Sequence, residues 1–316
     1  MFYKLLVSIS VIIIVNAESD PEYEIWLNGR NITATSNSSE EMCVADTIKI
    51  TKKMEELDLA DLQCAQELET LIADNIGLKL IKNGTLKYLP ASVRNLTIVR
   101  NNLNKIPANV FNNSTMENLN LTSNKIVTIS PEAFDYMKNL TSIILDKNEL
   151  AVYNLTFQEC PKLKLISIRY NFIKQLSDGI LKQLKHNVLS IYLSFNNIQS
   201  IHKNALDIKQ FHEVHLEHNE LANAQLLIKL VKAEFVDLSD NKITCLPKEF
   251  MENGLSKIRL LNLTDNPLDC KCLEDLKRKV RKNIEFQKMS PLVQNINILL
   301  PKSDMNCTNV NSKKES

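Results

Sequence analysis

Residues 116–126 read MENLNLTSNKI, in which Leu119 and Leu121 alternate with polar residues and Asn124 follows three positions later. Alternation of this kind buries one face of a β-strand and exposes the other. The same arrangement returns seven times along the chain. The other copies are VRNLTIVRNNL (93–103), LTSIILDKNEL (140–150), LKLISIRYNFI (163–173), VLSIYLSFNNI (188–198), FHEVHLEHNEL (211–221), AEFVDLSDNKI (233–243) and IRLLNLTDNPL (258–268).

The copies are evenly spaced, with successive asparagines 23, 24, 23, 25, 23, 22 and 25 residues apart. Their pattern, L-x-x-L-x-L-x-x-N-x-L, and this period are those of the leucine-rich repeat. Each L-x-L strand lies beside the previous one, so we expect an α/β solenoid, or horseshoe, with a parallel sheet on its concave side. The asparagines turn the chain, and their amides satisfy backbone groups that the turn leaves unpaired. They are Asn101, Asn124, Asn148, Asn171, Asn196, Asn219, Asn241 and Asn266.

The convex side is closed by a large apolar residue about ten positions after the asparagine. No single repeat buries its own apolar face, so stability comes from stacking on the neighbouring repeats and the terminal repeats need caps. The convex residues are Phe111, Phe134, Phe157, Leu206 and Phe250.

The first residues indicate secretion. Lys4 precedes a stretch of apolar residues and small serines from Leu5 to Val15, and small residues end the segment at Ala17. This is the composition of a signal peptide that is removed from the mature protein. No later window reaches the roughly 18 apolar residues of a transmembrane helix, and no hydrophobic tail indicates a lipid anchor. We therefore expect a secreted, extracellular protein.

The domain plan follows from these boundaries. The N-terminal cap contains a predicted strand, TIKI (47–50), a predicted helix over residues 54–72 and a degenerate first repeat over Leu78–Leu86. In the C-terminal cap, Leu273, Leu276 and Val280 form a helical apolar stripe that covers the last repeat. The plan is a signal peptide (1–17), a polar lead-in (18–42), the N-terminal cap with its degenerate repeat (43–92), eight repeats (93–268), a C-terminal cysteine cap (269–310) and a tail (311–316).

Glycosylation sequons agree with secretion, because Asn-x-Ser/Thr marks surface acceptors in secreted proteins. The sequons begin at Asn31, Asn37, Asn83, Asn95, Asn112, Asn113, Asn120, Asn139, Asn154, Asn262 and Asn306.

The charges of the 38 basic and 37 acidic residues nearly cancel, and this small net charge predicts no nucleic-acid partner.

The secretory start, the segment LIKNGTLKYLP (80–90), the repeats and the close cysteine pair Cys270 and Cys272 resemble insect secreted leucine-rich-repeat immune proteins. Mosquito members of that group hold complement-like thioester proteins in the haemolymph, and many continue into a coiled coil. This chain has no heptads, so it resembles the coil-less variety. The resemblance implies innate-immune recognition or scaffolding of another extracellular protein.

Seven cysteines in a secreted chain predict disulfides and one leftover thiol. Cys43 and Cys64 bracket the N-terminal cap and are expected to pair. Cys270 and Cys272, with Cys307 downstream, resemble the C-terminal cap of extracellular leucine-rich-repeat proteins, which has four cysteines where this chain has three. Cys160 occupies an apolar position and is expected to be a buried, inert thiol. Cys245 either reaches toward the cap or remains available for a disulfide-linked partner chain.

The ligand is expected on the concave face at repeats four to seven, because aromatic residues and arginine characterise interface centres. Sequons at Asn95, Asn120 and Asn262 would cover both ends of the sheet with glycans. The alternative is that the phenylalanines beside the asparagines pack into the rim. The predicted ligand-binding residues are Leu165, Arg169, Tyr170, Tyr192, Phe195, Glu213, His215, Phe235 and Asp237.

The sequence gives less support to other functional interpretations. The segment FHEVHLEHNE (211–220) suggests a metal site, but one strand face holds only His215 with Glu213 and Glu217, which is a poor zinc set. The basic run from Lys277 to Lys282 suggests an anionic partner or a solvated helix face. No catalytic constellation or phosphate loop is apparent, so we expect neither an enzyme nor a cofactor. A matrix or adhesion protein without an immune role is the alternative function.

Overall fold

The protein, represented by a computed structural model, is a parallel-sheet solenoid of about nine turns, as the repeat pattern predicts. Its contacts divide it into two units, which are described separately. Unit 1 comprises Met1–Glu149 and Asn154–Leu163, and unit 2 comprises Leu150–Tyr153 and Lys164–Ser316. The structure describes residues 10–13, 23–27, 30–34, 47–50, 53–57, 59, 66–112, 114–184, 187–208, 210–231, 233–255, 257–289 and 297–300.

In unit 1, six strands form a parallel sheet in the order β1-β4-β5-β6-β8-β10, and two short pairs lie outside it. Strands β2 and β3 form an antiparallel hairpin, whereas β7 and β9 pair in parallel. Short 3-10 helices span Thr85–Tyr88 and Pro131–Phe134. The strands are β1 (Ser10–Ile13), β2 (Tyr23–Leu27), β3 (Arg30–Ala34), β4 (Thr47–Ile50), β5 (Thr70–Asp74), β6 (Asn95–Val99), β7 (Lys105–Ile106), β8 (Asn118–Asn120), β9 (Thr128–Ile129) and β10 (Ser142–Ile144).

In unit 2, the sheet order is β11-β13-β15-β16-β17-β18, and β12 pairs with β14 in a separate parallel ribbon. Two 3-10 helices span Lys182–Leu184 and Gln225–Ile228. The strands are β11 (Leu165–Ser167), β12 (Gln175–Leu176), β13 (Val188–Tyr192), β14 (Ser200–Ile201), β15 (Gln210–His215), β16 (Phe235–Asp237), β17 (Leu260–Asn262) and β18 (Asn297–Leu299). The helices are α1 (Lys248–Asn253) and α2 (Cys270–Met289).

The predicted asparagine ladder is confirmed: all eight side chains are buried. Asn196 shows the geometry. Its Nδ2 donates to the carbonyl oxygens of Ile168 and Leu193 at 2.9 and 3.0 Å, and its Oδ1 accepts from the Ile173 amide at 3.0 Å. One amide thereby satisfies backbone groups of its own repeat and of the preceding one, so the turns that interrupt the sheet leave few buried polar groups unpaired.

The predicted convex core is also confirmed. Phe111, Phe134, Phe157, Leu206 and Phe250 are all buried. In unit 1, the ring of Phe134 stacks on both neighbouring phenylalanines, with centroids 5.7 Å from Phe111 and 6.1 Å from Phe157. Stacked rings attract each other in a preferred orientation, and this attraction stabilises the core in addition to the burial of apolar area.

The N-terminal region departs from the prediction. TIKI is a strand as expected, but residues 70–74, within the predicted helix, form β5. Leu68, Leu71, Ala73 and Leu78 are buried at the leucine positions of a further repeat, with Ile76 near the position of the asparagine. This degenerate repeat therefore begins before Leu78. Asn101 of the next repeat still makes the usual ladder bond, since its Oδ1 accepts from the Leu78 amide at 3.1 Å, and it also accepts from the Ile76 amide at 2.9 Å.

Strands also lie in the lead-in and in the predicted signal peptide, for which the sequence indicated none. Within the lead-in, Tyr23–Leu27 and Arg30–Ala34 form the β2–β3 hairpin. Ser10–Ile13, inside the predicted signal peptide, pairs with β4. Cleavage of residues 1–17 stays a prediction. None of the described helices is long and apolar enough to cross a membrane.

The C-terminal cap contains the predicted helix, α2, whose Leu273 and Leu276 are buried and whose Val280 is half-buried. Strand β18 extends the sheet beyond β17, which the sequence did not indicate. Cys245 forms a disulfide with Cys272, 27 residues away, and Cys270 is also disulfide-bonded. Cys245 thus reaches the cap, and the alternative that it bridges to another chain is wrong. Cys43, Cys64 and Cys307 lie outside the described residues.

Candidate functional site

The solvent-facing positions of the unit 2 sheet lie in register. These side chains point away from the buried L-x-L residues, onto the face that the sequence predicts to be concave, here called the open face. Backbone pairing places equivalent positions of successive repeats side by side. β15 carries one extra residue between its two registered segments, a β-bulge that locally increases twist. The resulting ladder across unit 2 is Ser167, Tyr192, His215, Asp237 and Asn262, as predicted.

Three rings of the open face form what we call the aromatic row: Tyr192, His215 and Phe235. The rings of Tyr192 and His215 stack with centroids 4.5 Å apart, and Phe235 meets His215 edge-on at 5.1 Å. The guanidinium of Arg169 lies 5.6 Å from the centroid of the Tyr192 ring, within cation–π distance. All three rings are half-buried, so one edge of each remains accessible. The row is held in place by contacts within the protein itself.

Two carboxylates fix the polar atoms of this row. The Tyr192 hydroxyl donates to Glu213 Oε2 at 2.6 Å, and His215 Nε2 lies 3.3 Å from the same oxygen. The other ring nitrogen of His215 lies 3.6 Å from Glu217 Oε2. A histidine between two carboxylates is held in one orientation, and its protonated form is stabilised.

These contacts shift the pKa values of the cluster. The hydrogen bond from Tyr192 lowers the pKa of Glu213, although burial opposes the change. Burial tends to lower the pKa of His215, but the hydrogen bonds and charges of Glu217 and Glu213 outweigh it and raise the pKa. Burial tends to raise the pKa of Glu217, and the contact with His215 lowers it overall. Burial, together with Glu213, raises the pKa of Tyr192 to about 12. Both glutamates are therefore ionised at neutral pH.

Asp237 and Leu165 occupy the two ends of the predicted patch. Asp237 Oδ1 accepts hydrogen bonds from the amide and hydroxyl of Ser239 at 2.9 and 2.6 Å, and its Oδ2 accepts from Asn262 Nδ2 at 3.0 Å. Leu165 is half-buried at the start of β11. The sequon asparagine Asn262 therefore lies directly against the patch.

Tyr170 and Phe195 lie elsewhere, in what we call the rim row: Tyr170, Phe195 and His218. Each precedes a ladder asparagine and has φ between 54° and 56°, in the left-handed region. Phe195 stacks between the other two rings, with centroids 4.3 and 4.1 Å away. Tyr170 and Phe195 remain 44% and 37% exposed. Phe195 therefore packs beside its neighbours as the alternative of phenylalanines in the rim predicts, but its ring is only partly covered.

Other residues of this surface were missed in the predicted set. Glu217 is held by His215, His218 extends the rim row, and Phe172 is 53% exposed beside it. The alternation of the strand does place Glu217 on the same face as His215 and Glu213, but it was not included in the predicted binding set. The stacking of His218 could not be read from the sequence, because it depends on the left-handed turn.

The histidines of residues 211–220 diverge toward different carboxylates. His212 Nδ1 lies 3.1 Å from Glu234 Oε1, His218 contacts Asp240, and His215 lies between Glu213 and Glu217. Among the described residues, no group of three or more histidines, cysteines or carboxylates is arranged to hold a metal ion.

Sequon asparagines of the strands share one local geometry. Asn120 Oδ1 accepts from the amide and hydroxyl of Thr122, and Asn262 Oδ1 accepts in the same way from Thr264. Asn95 lies on β6 and is half-buried. Asn83 and Asn154 are exposed, whereas Asn112 and Asn139 are half-buried. Asn37, Asn113 and Asn306 and the side chain of Asn31 lie outside the described part of the chain.

The basic run lies on α2. Arg278 forms an ion pair with Asp275, and Lys277 and Lys279 are half-buried. The side chains of Arg281 and Lys282 are not among those described. This part of α2 is a charged helix face with an internal ion pair, distinct from the open face of the sheet.

Comparison with known proteins supports the fold and shows similarity to extracellular proteins. Residues 91–150 match the family model described as Leucine rich repeat. Lumican of Gallus gallus is 26% identical over 205 residues, which cover 62% of this chain and 58% of lumican. Toll-like receptor 3 of Boselaphus tragocamelus is 32% identical over 178 residues, covering 50% of this chain and 19% of the receptor.

A chain in the crystal structure of the mouse RP105/MD-1 complex superposes with a TM-score of 0.67 at 21% identity, over 86% of this chain and 45% of that one. The chain thus spans only part of the length of these relatives. Its repeats are similar to the leucine-rich repeat, and the relatives that it matches include extracellular proteins.

Proposed function

We propose that this protein is a secreted, glycosylated binding protein that holds another extracellular protein against the open face of unit 2. The observation that carries the proposal is the aromatic row, with rings aligned by stacking and an accessible edge on each. Partly exposed rings on a sheet face contribute little to the core, whereas aromatic residues and arginine dominate the energetics of interfaces.

Preorganisation strengthens this proposal. Tyr192 is fixed by Glu213, and His215 is fixed from both sides, so binding would immobilise few additional rotamers. An interface whose side chains are ordered beforehand loses less conformational entropy on association. The rim row, with Tyr170 and Phe195, extends the apolar surface toward the edge of the sheet.

A catalytic role finds no support in the chemistry of this surface. The carboxylates of Glu213 and Asp237 are hydrogen-bonded to Tyr192, His215, Ser239 and Asn262. Among the described residues, the free thiol is that of Cys160, which is buried in unit 1, and burial raises its pKa to about 11, which keeps it protonated and unreactive.

Within this function, we propose innate-immune recognition or scaffolding, in line with the resemblance to insect secreted immune proteins. The similarity to lumican favours the alternative of a matrix or adhesion protein. Expression separates the two: induction by infection in haemocytes or fat body supports immunity, and constitutive epidermal expression supports a matrix role.

The binding surface is tested by a Tyr192→Ala/Phe235→Ala double variant in a capture assay with the secreted protein. We expect normal secretion and melting but a loss of partner of about thirtyfold in affinity, since a hot spot contributes at least about 2 kcal/mol. Arg278→Glu on α2 is the contrast. If this variant loses the partner and the double variant keeps it, the partner binds the basic helix and the proposal is wrong.

A further inference from the structure

We infer that the open face of unit 2 binds a positively charged segment of its protein partner, with an arginine or lysine side chain set against Glu213, Glu217 and the aromatic row. This inference rests on the proposed function and specifies the chemistry of the partner. It follows from the sign of the charges on this face and from the way the face already accommodates a cation.

The charge of the face is predominantly negative. Glu213, Glu217 and Asp237 come from neighbouring strands, and Arg169 and His215 are the basic groups among them. The ion pairs of Glu213 and Glu217 within the described residues are both with His215. Lowered pKa values keep these two glutamates ionised at neutral pH, so even a protonated His215 compensates only one of their two charges.

Arg169 shows how a cation is accommodated here. Its guanidinium lies over the Tyr192 ring, at 5.6 Å from the centroid. The ring face is electron-rich, so a guanidinium gains from this position, and a nearby carboxylate adds a charge-assisted hydrogen bond. Tyr192 donates to Glu213, so a partner cation bound at this carboxylate would lie beside the ring that Arg169 and His215 already contact. An anionic partner would instead meet three carboxylates, with only Arg169 and His215 as basic groups among them in the described residues.

Protonation of His215 should also change the affinity of the open face for its partner. The groups that face His215 are Glu213 and Glu217 from its own segment, Tyr192 from β13 and Phe235 with Asp237 from β16. When His215 gains a proton, the positive charge competes with the partner cation for the same carboxylates. A cationic partner should therefore bind more weakly in acid, and an anionic partner more tightly.

The test uses the secreted full-length protein and three fluorescent probes: an arginine octapeptide, a glutamate octapeptide and a heparin octasaccharide. Anisotropy titrations give the affinity of each probe at two ionic strengths, because screening weakens exposed charge pairs. We expect the arginine peptide to bind, and Glu213→Gln/Glu217→Gln to weaken it at least about tenfold. A Glu249→Gln/Glu274→Gln variant removes the same net charge from exposed sites on α1 and α2, and should bind as the wild type does.

The pH arm compares the wild type with His215→Gln. We expect affinity for the arginine peptide to fall from about pH 8 to about pH 5.5 in the wild type and to change little in the variant. The inference is overturned if the heparin probe or the glutamate peptide binds through this face, if both double variants weaken binding equally, or if the arginine peptide fails to bind. The proposed function survives these outcomes as long as Tyr192→Ala/Phe235→Ala releases the captured partner.

Discussion

Tyr192 reaches across from β13 and donates its hydroxyl hydrogen to Glu213 Oε2 on β15, at 2.6 Å. The same oxygen lies 3.3 Å from His215 Nε2, so one carboxylate atom joins residues of two adjacent repeats. Glu213 lies in the bulge of β15, between Phe211, which pairs with Leu189, and Val214, which pairs with Ile191. The polar side of the aromatic row is therefore organised by this one acceptor.

Tyr192→Phe removes the hydroxyl and keeps the ring. We expect the free energy of unfolding at neutral pH to fall by about 1 kcal/mol, because water replaces part of a hydrogen bond to a partly exposed carboxylate. Urea unfolding followed by circular dichroism measures the change. Tyr136→Phe, at an exposed tyrosine of unit 1, is the matched control and should be neutral. Equal effects for both variants would mean that the bond to Glu213 contributes nothing to stability.

The His215 cluster should stabilise the fold most in mildly acidic solution. The raised pKa of His215 gives stability that is present below its unfolded-state value and is lost as the pH rises through the folded-state value. The lowered pKa values of Glu213 and Glu217 give stability that is present above their unfolded-state values and is lost as the pH falls through the folded-state values. The contributions overlap between about pH 5 and pH 6.5. His215→Gln should therefore lower the melting temperature more at about pH 5.5 than at about pH 8.5. Equal losses at the two pH values would contradict this assignment.

Asn196→Asp tests the buried ladder. A carboxylate cannot donate to the carbonyl oxygens of Ile168 and Leu193, and leaving buried acceptors unpaired costs about 1–3 kcal/mol each. We expect a clearly lower urea midpoint. Asn223→Asp is the control, because the exposed Asn223 uses only its Oδ1 in its hydrogen bond, accepting from the Gln225 amide at 3.2 Å, and a carboxylate can do the same. An unchanged midpoint for Asn196→Asp would refute the structural role of the amide.

The repeats were predictable because the same local rule operates eight times. In each repeat the leucines alternate, as Leu119 and Leu121 do, and an asparagine such as Asn124 turns the chain. Because successive strands pair in register, the outward-facing residues from Tyr192 to Asp237 could be aligned from their positions in the repeat. The first repeat was misassigned because its signals are degraded. Ile76 lies near the position of the asparagine, and its amide donates to Asn101 of the next repeat.

Side-chain direction limited the prediction of the site. The sequence places Tyr170 and Phe195 beside the asparagines, but only their left-handed backbone shows that they leave the open face and stack with His218. The hydrogen bond between Tyr192 and Glu213 depends on the bulge of β15, which adds one residue without disturbing the spacing of the asparagines beyond its normal range.

The disulfide between Cys245 and Cys272 should hold the C-terminal cap on the last repeat. It closes a segment of 27 residues, and a loop of this length is expected to contribute about 3 kcal/mol through the unfolded state. Cys245→Ser/Cys272→Ser should lower the free energy of unfolding by that order and increase tryptic cleavage near Lys277. Cys245→Ser alone would leave a new thiol, so alkylation and mass spectrometry should find one additional labelled cysteine. Absence of any stability loss in the double variant would show that packing of Leu273 and Leu276 suffices.

Asp237→Asn creates a glycosylation site at one end of the patch, beside Phe235 and His215. Asp237 is followed by Leu238 and Ser239, so this single change creates Asn-Leu-Ser at the repeat position that Asn120 and Asn262 already occupy. The local geometry is suited to it, since Asp237 Oδ1 accepts from the Ser239 amide and hydroxyl as those asparagines do from Thr122 and Thr264.

The expected result of Asp237→Asn is a folded, secreted protein that gains the mass of one glycan and no longer binds its partner. Asp237→Asn/Ser239→Ala is the control, because it makes the same change of charge without a sequon. A loss of binding in both variants would assign the effect to the Asp237 carboxylate. A glycosylated variant that still binds would place the partner away from the open face of unit 2, because a glycan beside Phe235 and His215 excludes a protein from that surface.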